Sequence, residues 1–489
     1  MKKFINKIKN NKVLSILSVL IIGLFFILVT RITYAYLAPV INDAQTNVVG
    51  STDTVDDFKF ELGNPLKINA TPTTLKENDT NYTTSTTAKA LLKANSTKKT
   101  ATFNYYVYFQ IKSNTFIYSD GSTPEIILTV TSPNGDEITS IDGLTYGTFN
   151  GVSGFDITTK KGLFNIANNH EITSNSSTTY TTQSWTIKIT YLNLSIDQSA
   201  NFGNSMGVNV YITKNEKKPT LADVCSNGQT LSSCIVAMDG KDDTLYHHTS
   251  ELTNGAGDNS YRYAGASESV NNFVCFGSDE ATCPDANLFR IIGVFGDQTK
   301  VIRAKSVGNK QWHTSADNTW SSSSLNTYLN GEYLTSLGTI AEKIATTTWK
   351  VGGGSWANIG TSVPKTAYQY EVGSSASTTT YDAKIGLMYV TDYYYSASPS
   401  AWTLMGYNSD ATKDYRAAKT TNWLYLGSPE WTLSRESDIT TYAFYVYSTG
   451  AVNYNYVTYS RGVRPSFNLL SSTTYVSGSG SMSDPVRIN

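Results

Sequence analysis

Charged side chains are scarce in this chain, and the two signs cancel. Only 16% of its 489 residues are charged, and the formal net charge is −1. A chain with so weak a field has no basic surface to hold nucleic acid, so no nucleic-acid partner is expected. Histidine is rarer still: His170, His247, His248 and His313 are all there are. The metalloprotease pattern His-Glu-x-x-His is missing, because His170-Glu171 runs on into Ile172-Thr173-Ser174-Asn175. Gly352-Gly353-Gly354-Ser355 lacks the Lys and following hydroxyl residue of a phosphate loop and reads as a flexible loop. No nucleophile elbow and no convincing carboxylate pair can be found. The chain is therefore expected not to be an enzyme and to carry no cofactor. Asp239, Asp242, Asp243 and Asp258 could gather calcium, but their spacing does not match an EF-hand loop, and turn capping is the commoner use.

Cysteine is limited to Cys225, Cys234, Cys275 and Cys283, all in one region. In an exported protein two such close pairs read first as the disulfides Cys225–Cys234 and Cys275–Cys283, although three pairings are open. A four-cysteine zinc site is the rival, and neither pair has zinc-knuckle spacing.

What the chain does have begins with Lys2, Lys3, Lys7, Lys9 and Lys12 ahead of the apolar run Val13 to Thr30. A positive flank before a membrane-length segment implies export with the lysine end inside. Residues 1–37 are thus expected to be a signal peptide or membrane anchor. Thr33 and Ala35 are small where a signal peptidase reads, so the chain is either anchored at the cell surface or cleaved after Ala35. Residues 45–213 read as a β-sandwich: Phe58, Phe60 and Leu62 alternate with polar residues, as do Trp185, Ile187, Ile189 and Tyr191. Residues 214–222, with Lys214-Asn215-Glu216-Lys217-Lys218-Pro219, read as a linker. Residues 223–287 are a cysteine-bearing leader, and residues 288–489 a recognition domain of α+β character. Within the latter, Leu288–Phe295 and Lys300–Ala304 form a hairpin, and Leu325, Tyr328 and Leu329 a short helix ended by Gly331. A second helix is expected over Thr335–Ile344 and a strand over Lys384–Val390.

Tyrosine is abundant, at 33 residues, and concentrates late in the chain. Between Asp438 and Ser460 there is no Lys, Glu, Gln, Trp or Met, while Tyr442, Tyr445, Tyr447, Asn453, Tyr454, Asn455, Tyr456 and Tyr459 crowd together. Tyrosine offers a large amphipathic contact at low entropy cost, and asparagine adds adaptable hydrogen bonds, as in antibody combining sites. These eight are the expected ligand-binding face. Trp423, Trp431 and Arg464 are the expected scaffold, the tryptophans by packing and the arginine by binding carbonyls or a carboxylate. A Tyr-rich hairpin with alternate residues simply facing water is the plainer reading of the same composition.

The Thr33-x-Ala35-Tyr36 junction resembles the export signals of camelysin/TasA-type surface proteins of Gram-positive bacteria. The order hairpin, Trp320-to-Asn330 helix, Trp423 strand and closing Gly462-Val463-Arg464-Pro465 resembles a C-type-lectin-like domain over roughly residues 288–470. The closing motif is similar to that of formylglycine-generating-enzyme-like domains and of variable proteins diversified by retroelements. The latter resemblance implies that the Asp438–Ser460 run draws on residues reachable from Asn-type codons, which exclude Lys, Glu, Gln, Met and Trp. The formylglycine-generating activity needs a late reactive cysteine pair, and no cysteine follows Cys283. The Glu-Pro-Asn motif of calcium-dependent sugar-binding lectins is also missing. The resulting expectation is a mainly β, exported receptor or adhesin. Its partners would be an extracellular protein or glycan and, through the N-terminal segment, the membrane. A structural surface-layer or fibre subunit is the alternative, and an extracellular hydrolase a distant third.

Overall fold

The computed structural model describes residues 56–64, 66–70 and 80–489. The N-terminal segment expected to signal or anchor lies outside the described residues. Among those described, no helix is long and apolar enough to cross a membrane. The chain is mainly β, and it divides into two compact units between Lys217 and Lys218.

The first unit consists of two open antiparallel sheets. One has six strands in the order Asp57–Leu62, Tyr82–Lys93, Thr181–Tyr191, Ile126–Thr131, Val152–Asp156 and Thr145–Phe149. The other has four, in the order Leu66–Asn69, Ser205–Thr213, Ala101–Asn114 and Gly162–Ser174. Strand periodicity sends alternate residues inward. Ala88, Ala90 and Leu92 from the first sheet thus meet Val107, Phe109 and Ile111 from the second in a single core. One buried polar chain is paired across the sheets: Trp185 Nε1 donates to the Tyr105 hydroxyl at 2.9 Å, which donates to Gln183 at 2.7 Å. Burial pushes the Tyr105 phenol up to about 12. His170 stands edge-on to the rings of Tyr105 and Trp185, a packing position.

The second unit joins three sheets around one core. Its largest is built on the hairpin Leu288–Phe295 and Gln298–Arg303, turned by Gly296 at φ +64°. Strands from the cysteine-bearing region, Tyr261–Tyr263 and Phe273–Cys275, pair with that hairpin, and the terminal strand Val486–Ile488 runs parallel to Phe273–Cys275. Cys275 and Cys283 form a disulfide, and Arg487 donates to the carbonyls of Ser278 and Glu280 inside its loop. The expected Cys225–Cys234 bond is absent. Both thiols are buried in the core beside Leu221, Leu231 and Ile235, where cysteine serves as a small apolar residue. Their backbones are fixed separately, Cys225 N–H on the Leu221 carbonyl and Cys234 N–H on that of Thr230.

Three local expectations are corrected. The helix expected over Thr335–Ile344 is replaced by a short α-turn and a 3₁₀ segment, Gly338–Lys343, because Gly338 at φ +57° interrupts it. The strand lies at Thr380–Ala383, ahead of Lys384–Val390, which is largely buried and is held by a β-bridge from Gly386 to Ser466 and by side chains such as Asn330 rather than by a strand ladder. Gly352-Gly353-Gly354 is no flexible loop. All three are buried, and a Cβ on Gly353 would lie 2.0 Å from the Arg435 carbonyl, so glycine is there for close backbone approach.

Candidate functional site

The five-stranded sheet of the second unit runs Asn309–Gln311, Ser460–Gly462, Glu430–Arg435, Tyr442–Val446 and Val452–Tyr456. Its last two strands form the Tyr-rich hairpin, in register Tyr442 to Tyr456, Phe444 to Tyr454 and Tyr445 to Asn453. Because side chains alternate, the eight expected contact residues do not share a face. Tyr442, Tyr454 and Tyr456 lie on one side with Phe444. Tyr445 belongs to the other, is buried, and stacks beneath the Arg461 guanidinium at 3.6 Å. Tyr447 follows it there, 40% exposed, with its ring 6.0 Å from that of Tyr445. The expected single face is thus corrected to two. Tyr459, 51% exposed, extends the first side through its contact with Tyr456.

Val452–Tyr456 is an edge strand, and its outward N–H groups are all occupied. Val452 donates to the Gly406 carbonyl at 3.2 Å. Tyr454 and Tyr456 donate to the side-chain oxygens of Asn453 and Asn455, each at 2.8 Å. The two amides therefore curl round the edge, which brings them to the same rim as Tyr442 and Tyr454. There, Trp356, Tyr407, Tyr442, Asn453, Tyr454 and Asn455 line an open cavity of about 410 Å³ with no charged side chain in its wall. The Trp356 ring is 4.7 Å from Tyr454 at 55° and 6.0 Å from Tyr407 at 46°. Tyr442 stands 5.3 Å from Tyr454 and edge-on to Tyr456 at 4.4 Å. The hydrogen bond with Tyr456 pushes the Tyr442 phenol up to about 12, so it stays protonated, a neutral hydroxyl at the rim.

Trp356 and Tyr407 were not singled out by sequence, since neither sits in a periodic segment. Local signals do hold them. Ser355 caps the π-helical turn Trp356–Gly360 by accepting from Asn358 N–H. Trp356 N–H donates to Glu436 Oε1 at 2.9 Å, and the other oxygen of this buried carboxylate accepts from Asp438 N–H at 2.8 Å. A Cβ on Gly360 would lie 1.9 Å from the Trp356 ring, and one on Gly406 would lie 1.8 Å from the Tyr394 hydroxyl. Arg416, paired with the buried Asp414, backs the Tyr407 ring at 5.4 Å.

The three scaffold residues are buried. Trp423 donates to the Tyr263 carbonyl at 2.8 Å and Trp431 to that of Lys310 at 3.0 Å. Arg464 is held on both oxygens of Glu430, with Nη2 2.8 Å from one of them, and reaches the Leu424 carbonyl at 2.6 Å. Of the acidic group, Asp242 caps the turn at Thr244 and Asp258 pairs with Arg262. No cluster of metal-ligating side chains occurs among the described residues.

An open aromatic cleft, rimmed by two amides, thus lies at the edge of the five-stranded sheet. Residues 296–471, which contain all of it, match a family model described as a domain of unknown function, DUF6273. No curated protein and no solved structure matches the chain.

Proposed function

We propose that this chain is an exported surface protein, a receptor or adhesin, whose C-terminal unit binds an extracellular ligand in the Trp356–Tyr407–Tyr454 cleft. The observation that carries this is the convergence of four aromatic side chains and two amides from three separate segments on one open, uncharged cavity. Tyrosine and tryptophan left half-exposed on a rigid sheet give contact area at little entropic cost, which is how recognition surfaces are commonly built. The C-type-lectin-like architecture, the camelysin/TasA-like signal and surface localisation belong to the same proposal, as does the non-enzymatic role. The cavity wall offers no acid, base or nucleophile beyond phenols and amides, which favours binding over chemistry.

Cells displaying the full chain test it. With Tyr454→Ala and Tyr456→Ala combined, saturable attachment to the natural target surface should fall at least tenfold at equal surface display, measured with an antibody to the first unit. Unchanged attachment would remove the reading.

A further inference from the structure

The same cleft restricts the chemical class of its ligand, on the premise that it is the binding surface. An extended peptide joining a sheet edge needs free outward N–H and C=O groups. On Val452–Tyr456 the three outward N–H groups are taken, by the Gly406 carbonyl and by the side chains of Asn453 and Asn455. A charged ligand would find no counter-charge in the wall. What the cleft presents is a set of tilted ring faces, Trp356 against Tyr454 and Tyr407, flanked by amide donors and phenols. Because Asn453 Oδ1 already accepts from the backbone, its Nδ2 is oriented as a donor, and it has no acceptor among the described residues. Asn455 Oδ1 likewise accepts from Tyr456 N–H, at 2.8 Å, which orients its amide at the edge. The volume of about 410 Å³ falls within the range of small-ligand sites.

We propose that the cleft takes a neutral saccharide, with the apolar C–H face of a pyranose ring lying on Trp356 and Tyr454. Its hydroxyl groups accept from Asn453 Nδ2 and exchange hydrogen bonds with the Tyr442 and Tyr407 phenols. A pyranose matches this surface on both counts: one face is a patch of C–H groups that packs on an aromatic ring, and its rim is uncharged hydroxyl. Recognition of this kind uses no metal ion, in contrast to a calcium-bridged sugar site.

The full chain, solubilised in mild detergent, is applied to a printed array of neutral oligosaccharides built from hexoses and N-acetylhexosamines, with protein-coated spots as controls. The inference expects saturable binding to at least one glycan, retained in EDTA. Tyr407→Ala, at an exposed position, and Asn453→Ala should each weaken it at least tenfold, whereas Tyr82→Ala in the other unit leaves it unchanged. Trp356→Phe serves where Trp356→Ala fails to fold. A blank array, binding abolished by EDTA, or glycan binding indifferent to Tyr407→Ala and Asn453→Ala would each overturn it. The wider reading fails separately. If attachment of displaying cells depends on Tyr454 and Tyr456, yet survives periodate oxidation of the target and is lost on protease treatment, the ligand is a protein. Recognition by this face then stands and the saccharide assignment falls.

Discussion

Gly360 is where a single hydrogen atom decides the shape of the site. A methyl group there would sit 1.9 Å from the Trp356 ring, and the ring has Phe444 and Tyr454 on its other contacts. Gly360→Ala should therefore rotate the indole out of the cleft at a cost of about 1–3 kcal/mol. The readouts are the near-ultraviolet circular dichroism and the urea midpoint of the full chain; unchanged tryptophan signals would show that the contact is not as close as described. His248 gives a pH prediction at the same scale. It is buried between Tyr395 and Trp402 and accepts from Ala256 N–H, and burial, with Arg262 adding to it, holds its imidazole down to about 3. Asp258 opposes that shift, and His247 reinforces it weakly. In the unfolded chain the ring titrates near its ordinary value of about 6.5. The folded form binds the proton less readily, so its contribution is full above about pH 6.5 and falls toward pH 3 by roughly 1.4 kcal/mol per unit. His248→Gln, which keeps an acceptor for Ala256, should flatten the acid limb of stability between those limits. An unchanged limb would show that other groups set it. Neither feature was legible in the sequence: Gly360 carries no signal, and the burial of His248 depends on Tyr395 and Trp402, far along the chain.

At the scale of the element, the hairpin and its edge are the informative feature. Its strands are legible from composition, since Tyr, Val and Phe favour a pleated surface. Which side each tyrosine takes is not, because it depends on where the strand begins to alternate: composition placed eight residues together, and register separates Tyr445 and Tyr447 from Tyr442, Tyr454 and Tyr456. Asn453 and Asn455 read as contact residues, yet they also cap the edge N–H groups that would otherwise recruit another strand. Replacing both with Ala should expose the edge and yield concentration-dependent self-association, seen by sedimentation velocity, while the wild-type chain keeps its sedimentation coefficient on dilution over the same range. Equal behaviour of the two proteins would contradict the capping role. The failed helix at Thr335–Ile344 has a similar lesson: Leu337, Ile340, Ala341 and Ile344 keep helical spacing, but Gly338 takes a left-handed conformation that the pattern cannot show. Gly352-Gly353-Gly354 misleads for the opposite reason, since glycine marks close packing as readily as freedom.

On the scale of the whole molecule, the mainly β character was legible, and the chain divides into compact units between Lys217 and Lys218. The cleft was only half legible. Tyr442, Asn453, Tyr454 and Asn455 could be named from local composition, whereas Trp356 and Tyr407 arrive from segments 86 and 35 residues before Tyr442, distances over which no periodicity speaks. Arg464 ties the closing segment to the strand Glu430–Arg435 of the same sheet through Glu430. Arg464 and Glu430 are both buried, and removing one charge leaves the other unpaired, so Arg464→Met should cost about 3–5 kcal/mol in the unfolding of the second unit.

The most direct measurement is hydroxyl-radical footprinting of the full chain on its own cells, free and attached to the target surface, read residue by residue by mass spectrometry. The account predicts protection of Trp356, Tyr407, Tyr442 and Tyr454, with Tyr82 unaffected. Protection centred instead on Tyr447 and Arg461, or no protection in the second unit, would contradict it.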